Sequence, residues 1–228
     1  MTTGIDRRTL LAAAGSAAAA PAGAAQASAA GATAFAPKPL PFDPATVPGL
    51  SERLLTSHHQ NNYGGAVRRL GQIAGAFAAL DPAAAPGFQL NGLKREELMA
   101  WNSMLLHEVY FAGFGQPNAP SAPLAQQIER DFGSHDRWRA EFAAMGKALG
   151  GGSGWVLLTW SPRDRRLVNQ WAADHTMTLA GSTPLLALDM YEHAYHLDYG
   201  ANAGAYVDAY MKAVDWREAG RAYARLAA

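Results

Sequence analysis

Cysteine is absent from the 228 residues, which excludes disulfides, thiolate metal sites and cysteine nucleophiles. Long apolar runs are also missing. After the first thirty residues no stretch of about 18 apolar residues could cross a bilayer, so no membrane is expected as a partner of the mature chain. Charge of one sign is lacking too: 19 Lys and Arg balance 19 Asp and Glu, for a formal net charge of 0. Without a basic stripe, nucleic acid is not an expected partner. There is no internal repeat, which excludes solenoid and propeller architectures.

What is present begins with MTTGIDRRTLLAAAGSAAAAPAGAAQASAA. Charged, apolar and small-residue regions follow in the order of a secretory signal, with Arg7 and Arg8 as a twin-arginine pair and cleavage near Ala27. The alternative is a featureless alanine-rich tail. The signal reading predicts residues 1–30 as a cleaved signal peptide and a periplasmic or exported protein. Residues 31–49 carry five prolines and no periodicity, and read as a linker.

Beyond the linker, Ser51 is placed to cap a helix on which Leu54, Leu55, His58, Val67, Leu70 and Ile73 recur at helical spacing. Gly64 and Gly65 are expected to kink or bulge it. Residues 80–92 read as a loop and 93–112 as a second helix, giving a helical hairpin domain over 50–118. In 119–228 the pattern changes. Residues 123–149 read as helical, 151–160 and 165–171 as a β-hairpin turning at 161–164, and 184–190 as a buried third strand. Residues 191–199 and 204–226 again read as helical. The fold class is therefore α+β: an N-terminal α-helical hairpin lobe, then an α+β lobe with a three-stranded antiparallel sheet.

Seven histidines are spread over this pattern. The first helix offers His58 or His59, the second offers His107 among Leu105, Leu106 and Val109, and the third strand ends at Asp189 with His193 four residues on. Neutral imidazoles with a carboxylate suit iron, manganese or zinc. Taken singly, each has a plainer reading: His107 as a core histidine, Asp189 as the cap of the next helix. Periodicity alone leaves both open.

The segment PLLALDMYEHAYHLDYG, residues 184–200, resembles the signature of the iron/manganese superoxide dismutases, in which an apolar strand is followed by D-x-W-E-H-A-Y-Y-x-D-Y. Further landmarks stand in the family's order: FGS at 132–134, GSGW at 152–155, TPLL at 183–186, and Asp215-Trp216 where the family has Asn-Trp. The resemblance covers roughly residues 48–228.

The resemblance implies a superoxide dismutase working with one iron or manganese ion per subunit, held by His58, His107, Asp189 and His193, with His59 as the alternative to His58. It implies His175 as the group that contacts the site's solvent, with Asp174 as its rival. Ser103 stands where iron enzymes often carry a glutamine. The family's gateway tyrosine is replaced by Ala66; Tyr63, three residues earlier, either serves instead or is only packing. Asn62 and His196 replace a histidine–tyrosine pair that meets across the family's dimer. Glu192 would reach His193 of a partner in a homodimer, with a tetramer also open. Trp155 and Tyr191 would wall the metal pocket. A non-catalytic metal-binding relative and another iron-dependent oxygen or peroxide enzyme are the alternative functions.

Overall fold

The hydrophobic pattern of residues 51–78 matches its burial. In the computed structural model, which describes residues 35–228, α1 (Glu52–Ser57) opens on Ser51, whose hydroxyl accepts from the Leu54 N–H at 3.1 Å. Leu54 and Leu55 are buried at once. A π-helical turn, His58–Tyr63, then joins α1 to α2 (Gly64–Ala78). The expected irregularity is real, but it lies one turn before Gly64 and Gly65. Widening the turn brings His58 and Tyr63, five residues apart, into the interior together.

The second helix, α3 (Gly87–Ala112), starts six residues earlier than the spacing predicts. Pro86 precedes its first residue, and the apolar pattern becomes continuous only further along. Ala100, Ser103, Leu106, His107, Tyr110 and Phe111 are its buried positions, at the i, i+3, i+4 and i+7 spacing of one face. α2 and α3 pack together as the hairpin lobe.

In the second lobe the expected long helix is two: α4 (Ala122–Phe132) and α5 (His135–Ala148). Gly133, at φ 86°, ends the first in the left-handed region, and the Ser134 hydroxyl caps the second by accepting from the Arg137 N–H. Strands β1 (Trp155–Ser161), β2 (Arg166–Ala172) and β3 (Thr183–Asp189) form an antiparallel sheet in the order β2-β1-β3. The central β1 is buried throughout, as its unbroken apolar run requires. Its pairing with β3 slips between Leu158 and Thr159, opposite the edge residue Pro184, which has no N–H to offer the ladder. That register sets Trp155 directly across from Asp189.

The chain closes with α6 (His196–Tyr199), α7 (Ala203–Ala213) and α8 (Arg217–Leu226). From α7, Tyr206 and Tyr210 donate their hydroxyls to the carbonyls of Asp189 and Ala187, each at 2.8 Å. These bonds satisfy buried carbonyls at the end of β3 and hold that strand end in place. Asp215 joins the break between α7 and α8 to residues after α3: it accepts from the Gln116 N–H at 3.1 Å and the Asn118 side chain at 2.7 Å. No helix among the described residues is long and apolar enough to cross a membrane. The expected signal and its cleavage point near Ala27 lie outside the described residues.

Candidate metal centre

Four side chains from four separate elements meet at one point. His58 opens the π turn, His107 projects from α3, Asp189 ends β3, and His193 lies in a short 3₁₀ turn, Glu192–Ala194. One donor atom of each lies within 4.8 Å of all the others. Asp189 Oδ2 stands 3.2 Å from His58 Nε2, 3.6 Å from His107 Nε2 and 3.3 Å from His193 Nε2. Donors each about 2.1 Å from one ion, at right angles or somewhat wider, stand about 3.0–3.6 Å apart. The set therefore fits a single first-row ion.

The hydrogen bonds lead to the same place. His107 Nδ1 lies 2.6 Å from the Ser103 carbonyl one turn back, so it carries the proton and donates it, leaving the Nε2 lone pair free. That Nε2, and both ring nitrogens of His58, are buried without any hydrogen-bond partner. A fold rarely leaves such atoms bare, and an ion between them accounts for His107 Nε2 and one nitrogen of His58.

Electrostatics set the protonation of these side chains. Burial lowers the pKa of His58 and carries that of His107 down to about 3, with the neighbouring His58 adding to the effect on His107. Both imidazoles are thus neutral donors at physiological pH. Burial would raise the Asp189 carboxyl, but the His193 and His58 imidazoles outweigh it and hold the group well below the usual range. Asp189 Oδ1 accepts from the Tyr191 N–H at 2.9 Å. The turn that follows has Tyr191 at its cap position with no side-chain cap bond, so Asp189 is not its cap; one of its oxygens makes the local bond to the Tyr191 N–H and the other faces the imidazoles.

The surrounding residues sort into those that face this point and those that do not. The Trp155 ring stands edge-on to His107 at 5.3 Å, and its indole N–H donates to His175 Nδ1 at 3.0 Å. His175 itself lies 6.1 Å from the His107 ring and stacks on Tyr191 at 4.7 Å. Its rival Asp174 is turned to the Thr176 N–H and hydroxyl instead. His59 is not in the cluster; its Nε2 lies 2.8 Å from the Lys38 carbonyl, because the next residue of a helical turn points away from the first. Ser103 is buried beneath His107 and reaches it chiefly through its carbonyl. Ala66 is buried and adds only a methyl group.

Tyr63 is fully buried, its ring 6.4 Å from His107. Its hydroxyl donates to Glu108 Oε1 at 3.1 Å and accepts from the Lys38 N–H at 2.8 Å. Burial raises its pKa, so the phenol keeps its proton. Lys38, His59, Tyr63 and Glu108 line one wall of a groove of about 720 Å³ between α3 and residues 178–185. None of the four clustered donors lines that groove; Tyr63 stands between the two. Glu192 and His196 are exposed and Asn62 is half-buried.

Sequence reasoning missed three residues that shape this region. Lys38 sits in the proline-rich entry segment, where no periodicity signals a role. Glu108 directly follows His107 and reads as an ordinary helix carboxylate. Asn102 donates its side-chain amide to the His175 backbone carbonyl at 2.7 Å, a contact spanning 73 residues of sequence.

Residues 120–222 match the family described as iron/manganese superoxide dismutases, C-terminal domain. The chain is 65% identical over 187 residues to a Cupriavidus metallidurans protein named superoxide dismutase [Fe], covering 82% of this chain and 95% of the relative. A Halobacterium salinarum protein named superoxide dismutase [Mn] 1 is 34% identical over 197 residues, covering 79% of this chain and 90% of the relative. A Propionibacterium freudenreichii protein named superoxide dismutase [Mn/Fe] is 32% identical over 188 residues, covering 78% and 90%.

Proposed function

Because this chain belongs to the iron/manganese superoxide dismutase family, we propose that His58, His107, Asp189 and His193 hold its working ion, that the ion is iron, and that His175 and Tyr63 serve the reaction beside it. The activity is superoxide dismutation, with iron or manganese as cofactor. Two superoxide anions and two protons become one dioxygen and one hydrogen peroxide, so one anion is oxidised and the other reduced. When bound, the ion supplies reversible one-electron exchange between two oxidation states, which zinc lacks. The observation that carries the ligand assignment is the set of buried histidine nitrogens without a hydrogen-bond partner, converging on Asp189 Oδ2.

The chain's own residues supply the rest. With the ion bound, three imidazoles each giving a lone pair and one carboxylate would leave the site with a low net charge, so either oxidation state is tolerable in a buried setting. Two donors belong to the hairpin lobe, divided from the second near residue 118, and two to the α+β lobe. Ion binding therefore stabilises their docking. Trp155 excludes water along one side of the pocket. Tyr63 keeps its hydroxyl protonated and tied to Glu108 and Lys38, and replaces the gateway tyrosine that Ala66 removes. His175 offers a ring N–H to the pocket.

Iron is favoured because the Cupriavidus metallidurans relative that shares 65% of aligned residues is named superoxide dismutase [Fe]. Glu192, exposed beside His193, is available to a second copy, which supports a homodimer. Residues 1–30 support export through the twin-arginine route, which carries folded, already loaded proteins. Metal analysis and superoxide assay of the protein purified from its native compartment test this reading. One iron per chain with activity is expected, and Asp189→Ala should lose both. Full activity in an Asp189→Ala protein would overturn the ligand assignment.

A further inference from the structure

His175 is gripped from three sides. An indole N–H is a donor and never an acceptor, so the Trp155 contact requires a bare lone pair on His175 Nδ1. The neutral ring must then carry its proton on Nε2, for which no partner exists among the described residues. Tyr191 covers one face of the ring, with the planes 12° apart at 4.7 Å. The third hold comes from the other lobe: Asn102 on α3 can meet a carbonyl oxygen only with its NH₂ group, which fixes the amide's orientation as well as the contact.

The third hold is needed. His175 stands in the connection between β2 and β3, outside any regular element, where the backbone has no ladder to hold it. Trp155 and Tyr191 act on the ring only if the backbone beneath it stays put. Asn102 ties that backbone to the helix that carries His107, five residues on, so ring and ligand share one rigid support.

We propose that Asn102 is a positioning residue that, by anchoring the His175 carbonyl to α3, keeps His175 in the Nε2–H tautomer imposed by Trp155 and so keeps a single ring N–H donor aimed at the metal pocket. The inference rests on the assignment of His175 to the reaction. The experiment separates the two. Nitrogen-15 NMR of the zinc-loaded, diamagnetic full chain reads the tautomer directly, with His175→Gln identifying the signals. Superoxide turnover of the iron-loaded protein is measured beside it.

Wild type should show one His175 tautomer, with Nδ1 bare and Nε2 protonated. Asn102→Ala should broaden those signals or mix the tautomers, and lower turnover about tenfold at unchanged iron content. Trp155→Phe keeps the wall but removes the N–H; it should also release the tautomer and keeps the test alive if the first variant folds poorly. A wild-type His175 spectrum in Asn102→Ala overturns the proposal, whatever happens to turnover or melting temperature. A disordered tautomer with undiminished turnover supports the positioning role and refutes the part assigned to His175 in the reaction.

Discussion

Removing the ion should loosen the joint between the lobes, and the size of the effect follows from the site. In the proposed assignment His58 and His107 come from the N-terminal helices, and Asp189 and His193 from the end of β3 and the turn after it, so the ion would bind all four only when these segments are packed together and hardly at all when the chain is unfolded. Stabilisation by such a ligand is RT ln(1 + [L]/Kd), or about 4 kcal/mol at a free-ion level a thousandfold above Kd. In chains of this size 1 kcal/mol moves Tm by about 2–4 °C. Scanning calorimetry of the iron-loaded protein and of the same protein after reduction and chelation should therefore differ by roughly 8–16 °C. His107→Ala should lose most of that difference, because the remaining three donors bind weakly. An unchanged Tm in wild-type protein shown by metal analysis to be empty would refute the claim that the ion couples the lobes.

Other consequences are as direct. The metal-free protein should lose stability as pH falls below about 6.5. The unfolded chain then binds a proton at His107 that the fold resists down to about 3, so stability drops by up to about 1.4 kcal/mol per pH unit for each such histidine; denaturant titrations across pH 7 to 4 check this. Below the ordinary carboxyl range Asp189, with its lowered pKa, pushes in the same direction. Tyr63→Phe leaves Glu108 and the Lys38 N–H without a shared partner; it should cost about 1–3 kcal/mol and reduce turnover while iron stays bound. Gly154→Ala should destabilise by about 2 kcal/mol or more, with altered tryptophan fluorescence, since the residue has φ 129° and an added Cβ would lie 2.2 Å from the Ala172 carbonyl oxygen, next to Trp155. Glu192→Ala should shift a dimer toward monomer in sedimentation; an unaltered dimer would count against its role at the two-fold.

Periodicity reached the elements well and the junctions poorly. The apolar spacing of Leu54, Leu55, Val67, Leu70 and Ile73 marks a buried helix face whatever the partner, because that face must be covered. An irregularity was expected at Gly64 and Gly65, but its place and form at His58–Tyr63 were not legible, since a π turn trades hydrogen-bond register for side-chain placement and the gain comes from residues far away. The break at Gly133 was present in the letters FGS, yet the flanking helical patterns run on through it. The ligands show the same split. Asp189 and His193 belong to a local pattern with a specific resemblance, whereas His107 on its own could as well have been a core histidine.

By itself, then, the amino-acid order determined the classes of chemistry open to this chain: no thiol, no basic surface, three suitably placed imidazoles and a carboxylate on elements whose faces had to be buried. Tertiary structure alone decided which of His58 and His59 enters the cluster, that Asp189 Oδ1 accepts from the Tyr191 N–H while Oδ2 faces the imidazoles, and that Asn102 and Glu108 hold His175 and Tyr63. Propensity and spacing act over a few residues. A hydrogen bond between positions 102 and 175, or a β register that sets Trp155 opposite Asp189, exists only when distant segments have already been brought together.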